Sequence, residues 1–168
     1  MKQKLTMFVL VSAWLAACGG GATFHSGVYS DGYTRYRVGV LSPDWKPVVA
    51  DGNDLAFTRR GMGTIAVNST CTDYDDVPLS ALVNQLLFDT TARRVQLDET
   101  VTLVGRGARH LIVDLELDGV PIQLELYVLR RNGCVYDLTH MRARTTPPEA
   151  RDTFLAFVHR FDVLERLQ

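Results

Sequence analysis

Apolar and polar positions alternate most cleanly between Arg109 and Ala143, and that stretch anchors the rest of the chain. Asp118-Gly119 and Asn132-Gly133 are both two-residue hairpin signals flanked by alternating apolar residues. A two-residue loop sets equal offsets opposite one another. The first turn therefore pairs Leu117 with Val120, Leu115 with Ile122, Val113 with Leu124 and Leu111 with Leu126. All of these are apolar and share one face, an agreement that a one-residue slip would destroy. The second turn pairs Leu129 with Tyr136, Tyr127 with Leu138 and Glu125 with His140 on the opposite face. A sheet that is apolar on both sides needs a covering layer on each.

Two amphipathic segments are available as cover. After Pro78, suited to the first turn of a helix, Leu79, Leu82, Val83, Leu86 and Leu87 recur at helical spacing. A second helix begins at Pro147-Pro148-Glu149, with Phe154, Phe157, Val158, Phe161 and Leu164 as its stripe. Upstream, Tyr36–Leu41 alternates as a strand and stops at Ser42-Pro43-Asp44. Asp54–Arg59 and Thr64–Asn68 read as two strands around Arg60-Gly61-Met62-Gly63, where glycines supply the positive φ of a turn. Between residues 89 and 108 the signal is weaker, with Val95 to Val104 alternating as a strand. Antiparallel strands with a helix on either side predict an α+β fold, a three-layer α/β/α sandwich with a mainly antiparallel sheet.

The first residues belong to a different physical regime. Met1-Lys2-Gln3-Lys4 is basic, and the apolar run Leu5–Trp14 is shorter than the roughly 20 residues that span a bilayer. Together they describe a secretory signal, to be left out of the fold. Leu15-Ala16-Ala17-Cys18 resembles the lipobox of bacterial lipoproteins: an aliphatic residue, two small ones, then cysteine. The resemblance implies cleavage before Cys18 and attachment of several acyl chains there, a firm anchor where one chain would be marginal. Gly19, in place of the aspartate that commonly retains such proteins in the inner membrane, implies the outer membrane, with the domain facing the periplasm. The expected organisation is a signal peptide over 1–17, a lipidated cysteine and flexible tether over 18–32, and a single domain over 33–168.

The domain's order of elements resembles the Mog1/PsbP-like fold, which includes bacterial lipoproteins of the DcrB type. The resemblance rests on the strand Tyr36-Arg37-Val38-Gly39-Val40 ending at Ser42-Pro43-Asp44-Trp45, the Asp118-Gly119 hairpin and the closing Phe154–Phe161 segment. It implies a binding or assembly factor rather than an enzyme, although fold alone does not settle function.

Charge narrows the partners. The chain holds 18 Lys and Arg against 19 Asp and Glu, and Lys2 and Lys4 fall in the leader, so the mature part is weakly acidic. Nothing in that balance favours nucleic acid. Membrane contact through the lipid on Cys18 and an envelope protein are the expected partners.

Motifs for chemistry are missing. No Gly-x-Ser-x-Gly, Walker loop or His-Glu-x-x-His occurs, and His25, His110, His140 and His159 lack ligand spacing. No catalytic residue, cofactor or metal is therefore expected. Cys71 with His140 would make a thiol and base. In an oxidising envelope, however, Cys71 and Cys134, the two cysteines left once Cys18 is acylated, are expected to form a disulfide instead. Asp114, Glu116 and Asp118 alternate on one strand face, with Glu125 diagonal to Asp114. Such carboxylates serve glycoside hydrolysis or a hard cation, yet acids on the outer face of a half-solvated sheet are what solvation alone predicts. Asp73, Asp75 and Asp76 lack the glycine and terminal glutamate of a calcium loop and suit helix capping.

The expected function is a non-enzymatic, outer-membrane-anchored lipoprotein whose domain binds protein, as an accessory subunit of an envelope assembly or transporter. The alternatives are a small-ligand or lipid carrier with a pocket between sheet and helix, and, less supported, a carboxylate-dependent hydrolase.

Overall fold

Hairpins laid edge to edge make the main sheet. The computed structural model describes residues 21–71 and 77–166. The chain starts with the short strands β1 (Thr23–His25), β2 (Val28–Ser30) and β3 (Thr34–Arg37). It continues through β4 (Lys46–Pro47), β5 (Leu55–Arg59) and β6 (Gly63–Thr70) to helix α1 (Leu79–Leu86). Four long strands follow: β7 (Thr91–Leu103), β8 (Arg106–Leu117), β9 (Val120–Arg131) and β10 (Cys134–Arg142). Helix α2 (Pro148–His159) and strand β11 (Asp162–Arg166) close the fold.

The long strands join β4, β5 and β6 in a seven-stranded antiparallel sheet of order β4-β5-β6-β10-β9-β8-β7. Its two central turns follow the register read from the turn residues: Leu117 faces Val120, Leu111 faces Leu126, and His140 faces Glu125. Asp118, Gly119, Asn132 and Gly133 all have positive φ, the geometry of a two-residue turn matched to strand twist.

Each face has its own core. Leu82, Val83 and Leu87 of the α1 region pack on Leu111, Val113, Leu124 and Leu126. On the other face Phe154, Phe157 and Val158 of α2 join Ile65, Val67, Tyr127, Leu129 and Leu138. The layers are helix, sheet, and a mixed third layer, because a four-stranded sheet of order β1-β2-β3-β11 lies beside α2.

That small sheet corrects several expectations. The segment read as a tether contains β1 and β2, whose Tyr29 is 5% exposed and stacks on Tyr36 at 4.9 Å between ring centroids. Its glycines and serines resemble a linker, yet they serve as hairpin turns. Phe161 and Leu164 do not continue α2: the helix ends at His159 and Asp162–Arg166 pairs antiparallel with β3. Strand β3 ends at Arg37, not Leu41, because the backbone leaves the sheet to meet α2. There the Gly39 N–H donates to the Phe157 carbonyl at 3.0 Å, and a Cβ on residue 39 would lie 2.6 Å from the Phe157 Cα. Leu86, counted in the buried stripe of α1, is 40% exposed.

Strand β7 is an edge. Nearly all its side chains are exposed, it carries Arg93, Arg94, Asp98 and Glu99, and register shifts interrupt its pairing with β8. Charge and irregularity of this kind discourage edge-to-edge aggregation. Among the described residues no helix is long and apolar enough to cross a membrane.

Candidate functional site

The polar side chains that β8, β9 and β10 turn toward α2 converge on Glu125. This residue sits mid-strand between Ile112 and His140 and is completely buried. Its Oε1 accepts from His110 Nε2 at 3.0 Å and from Arg151 Nη2 at 3.0 Å. Its Oε2 accepts from Arg151 Nε at 2.9 Å and Arg142 Nη2 at 3.2 Å. Arg151, on the second turn of α2, thus grips the carboxylate with two parallel bonds, the strongest geometry open to such a pair. Burial by itself would push the Glu125 carboxyl up. The bonds from His110 and Arg151 and the charge of Arg142 overcome it and hold the group at about 2.

The cluster extends on both sides. His110 Nδ1 lies 3.0 Å from Glu99 Oε1, and its ring stacks on Tyr127 at 4.1 Å. The ring is thus held between two carboxylates, one at each nitrogen. Arg142 also donates to Gln123 Oε1 at 2.7 Å and to His140 Nδ1 at 2.8 Å. Since arginine cannot accept, the proton of His140 stands on Nε2, which donates to the Met62 carbonyl at 2.9 Å. Burial lowers His140 to about 4, only partly offset by the Met62 bond, and Arg142 adds to the lowering, so the ring is neutral at neutral pH.

Glu125 and His140 face each other as the turn requires, and the guanidinium of Arg142 bonds to both. One expectation changes here: Glu125 is no solvated acid of an outer face, because α2 and its arginine cover it. Asp114, by contrast, lies nearer the surface, bound by Gln96 and Gln123 at 2.9 Å each, and joins the cluster only through Gln123, whose Oε1 accepts from Arg142.

The remaining sequence candidates scatter. Cys71 and Cys134 are joined by a disulfide, one step beyond the Thr70–Val135 pair of the β6–β10 ladder. The thiol–base pair of Cys71 and His140 does not form. His25 lies in exposed β1 and His159 at the exposed C-terminal end of α2. Cys18 and Asp73, Asp75 and Asp76 lie outside the described residues. Among the described residues no group of three or more His, Cys, Asp or Glu is placed to hold a metal.

Sequence reasoning missed Asp137. Alternation places it on the α1 face of β10, opposite Asn68 and Val128, where it is 8% exposed. Burial pushes its carboxyl up to about 7, a bond from Asn68 works against that, and the charge of Asp54 adds to it. An acid set among Val135, Val128 and Leu126 was the available signal.

No protein-family model matches the sequence, and no curated protein is significantly similar to it. Solved structures are similar in fold. Cyanobacterial PsbP (CyanoP) from Synechocystis sp. PCC 6803 superimposes with a TM-score of 0.56 at 16% identity, over 89% of this chain and 98% of that one. LpqN, involved in cell envelope biogenesis of Mycobacterium tuberculosis, gives 0.53 at 10% identity, over 77% of this chain and 84% of that one. A protein from Bacteroides thetaiotaomicron VPI-5482 gives 0.53 at 6% identity, over 77% of this chain and 45% of that one. Antiparallel sheets, two helices and this order of elements make the chain an α+β protein of PsbP-like fold.

Proposed function

We propose that the protein is an envelope lipoprotein, held by lipid on Cys18, whose domain binds another protein and catalyses no reaction. The observation that carries the reading is the closed state of the Glu125 cluster. Both carboxylate oxygens accept from cations, and the group sits at about 2, far from the range in which an acid exchanges protons at neutral pH. The cluster joins α2 to three strands, the work of a scaffold. Two further features agree: the leader with its Leu15-Ala16-Ala17-Cys18 motif, and a fold shared with LpqN, itself involved in cell envelope biogenesis. Gly19, where an aspartate would favour the inner membrane, supports an anchor in the outer membrane with the domain on the periplasmic side. One observation, the cavity beneath α1, favours a small-ligand role as well.

Photo-crosslinking in intact cells tests the reading. A benzophenone amino acid is placed at Phe88, Val49 or Arg35, of which the first two are 81% and 98% exposed apolar sites. Discrete protein adducts at one of the apolar positions, lost in a Cys18→Ser background, are expected. No adduct at any position would overturn the proposal.

A further inference from the structure

Helix α1 leaves a cavity of about 390 Å³ against the sheet, within the size range of small-molecule sites. Its apolar part is formed by Leu82 and Leu86 of α1 and by Val128 of β9, and its polar end by Asn68, Thr70 and Asp137. Among the described residues Asp137 is the one ionisable group in the lining, and α1 carries no charged residue to face it. The Asn68 amide donates to Asp137 Oδ2 at 3.3 Å, and no donor among the described residues reaches Oδ1. Along β9, Arg130 gives its guanidinium to the Val77 carbonyl, and on the far side of the sheet Asp54 adds negative potential.

A carboxyl only 8% exposed is costly for the protein alone, and valine or asparagine would fill the same place without that cost. An anion would meet the field of Asp137 and Asp54. A neutral ligand would leave the charge uncompensated. Only one carboxylate oxygen is open, so the two-pronged fork of a guanidinium finds no matching pair of acceptors, whereas an ammonium, a compact point charge, needs only one. Asn68 and Thr70, which line the same end, carry further oxygen acceptors.

We propose that the cavity binds a primary alkylammonium group, with Asp137 as counter-ion and the aliphatic stem against Leu82, Leu86 and Val128. The same chemistry is presented by a small free amine and by a lysine side chain of a partner. This inference rests on the cavity and not on the lipoprotein reading, so either can fail without the other.

The test titrates the full-length protein in detergent with n-pentylammonium chloride, n-pentanol and sodium pentanoate at pH 8. Pentylammonium is expected to bind saturably and at least about tenfold more tightly than pentanol, as a desolvated charge pair requires, with no pentanoate binding. Asp137→Asn, which keeps shape while removing the ionisable group, is expected to abolish the preference over pentanol. In the wild type the Asp137 carboxyl carbon, followed by NMR, is expected to titrate at lower pH when pentylammonium is present, a readout that needs no variant. Affinity should fall at pH 5.5, where Asp137 takes up a proton and the amine keeps its own. Nα-acetyl-lysine N-methylamide separates the sources: binding as tight as that of the amine assigns a partner's lysine, and weaker binding a small amine. Pentanoate binding as well as the amine, an unchanged preference in Asp137→Asn, or an unmoved Asp137 titration would each overturn the site.

Discussion

At the scale of single residues, Glu125 shows how one buried charge organises its surroundings. Removing it leaves the guanidinium groups of Arg142 and Arg151 facing each other without the buried anion, and His110 with Glu99 alone. Glu125→Gln is therefore expected to cost about 3–5 kcal/mol, the usual consequence of deleting one partner of a buried pair, as measured by urea unfolding at pH 7. The sign of the pH dependence follows from the same groups. Glu125 falls from its ordinary 4.5 to about 2 in the folded state, so its contribution is full above pH 4.5 and lost as pH drops toward 2. His140 falls from 6.5 to about 4, so the unfolded chain binds the extra proton between those values and stability drops from pH 6.5 toward 4. Asp137 runs the other way: raised from 3.8 to about 7, it takes up a proton in the folded state first and offsets the His140 loss over the same window. The net decline of wild-type unfolding free energy should therefore lie below pH 4.5, where Glu125 protonates, and Glu125→Gln should lose it. A second residue, Val104, sits at φ +54 in the turn before Gly105, a conformation hard for a β-branched side chain. Relief of that strain, worth about 1–2 kcal/mol, outweighs the loss of a half-buried methyl pair, and Val104→Asn is expected to raise the unfolding free energy by about 0.5–1 kcal/mol.

At the scale of elements, turns carry the register and side-chain chemistry carries the joints between strands. Both central hairpins were legible because Asp-Gly and Asn-Gly define their own geometry within two residues. The β7–β8 hairpin was not: its turn is Val104-Gly105, whose first residue is the opposite of a turn former, and β7 is an exposed edge with little alternation. The disulfide belongs to this scale too, since it extends the β6–β10 ladder by one pair and clamps the strand that leads toward α1. The bridge closes a loop of 63 residues, and Cys71→Ser with Cys134→Ser is expected to cost up to about 4 kcal/mol. Thermal unfolding checks the cost, and mass spectrometry of the unreduced wild type should find no alkylatable thiol at either position. Strand β11 is the opposite case. Phe161 and Leu164 look like more of the α2 stripe, and only the open edge of β3 turns the segment into a strand.

At the scale of the whole molecule, the small sheet begins close to the proposed anchor. Thr23 follows Cys18 by five residues, which span at most roughly 17 Å, so a lipid on Cys18, as proposed above, would hold the folded domain close to the membrane surface. Cys18→Ser is expected to abolish incorporation of labelled palmitate and to leave the protein as precursor or outside the membrane fraction. Palmitate entering the variant would remove the anchor assignment, and a wild type fractionating wholly with the inner membrane would remove the outer-membrane inference from Gly19.

Periodicity, turn residues and prolines determined on their own the two helices, the central strands and their register, and the need for cover on both sheet faces. Each is a local property, complete within one turn or one amphipathic repeat. Tertiary structure alone decided which buried polar groups meet. Glu125 takes its partners from positions 15, 17 and 26 residues away on three different elements, and the pairing read from the hairpin names none of them. It also decided that Thr23–Ser30 is a hairpin and not a linker, because the strand that completes its sheet comes from the far end of the chain. Asp137 was hidden for the same reason: alternation assigns its face, but the gap under α1 that makes its charge matter exists only once the helix has docked.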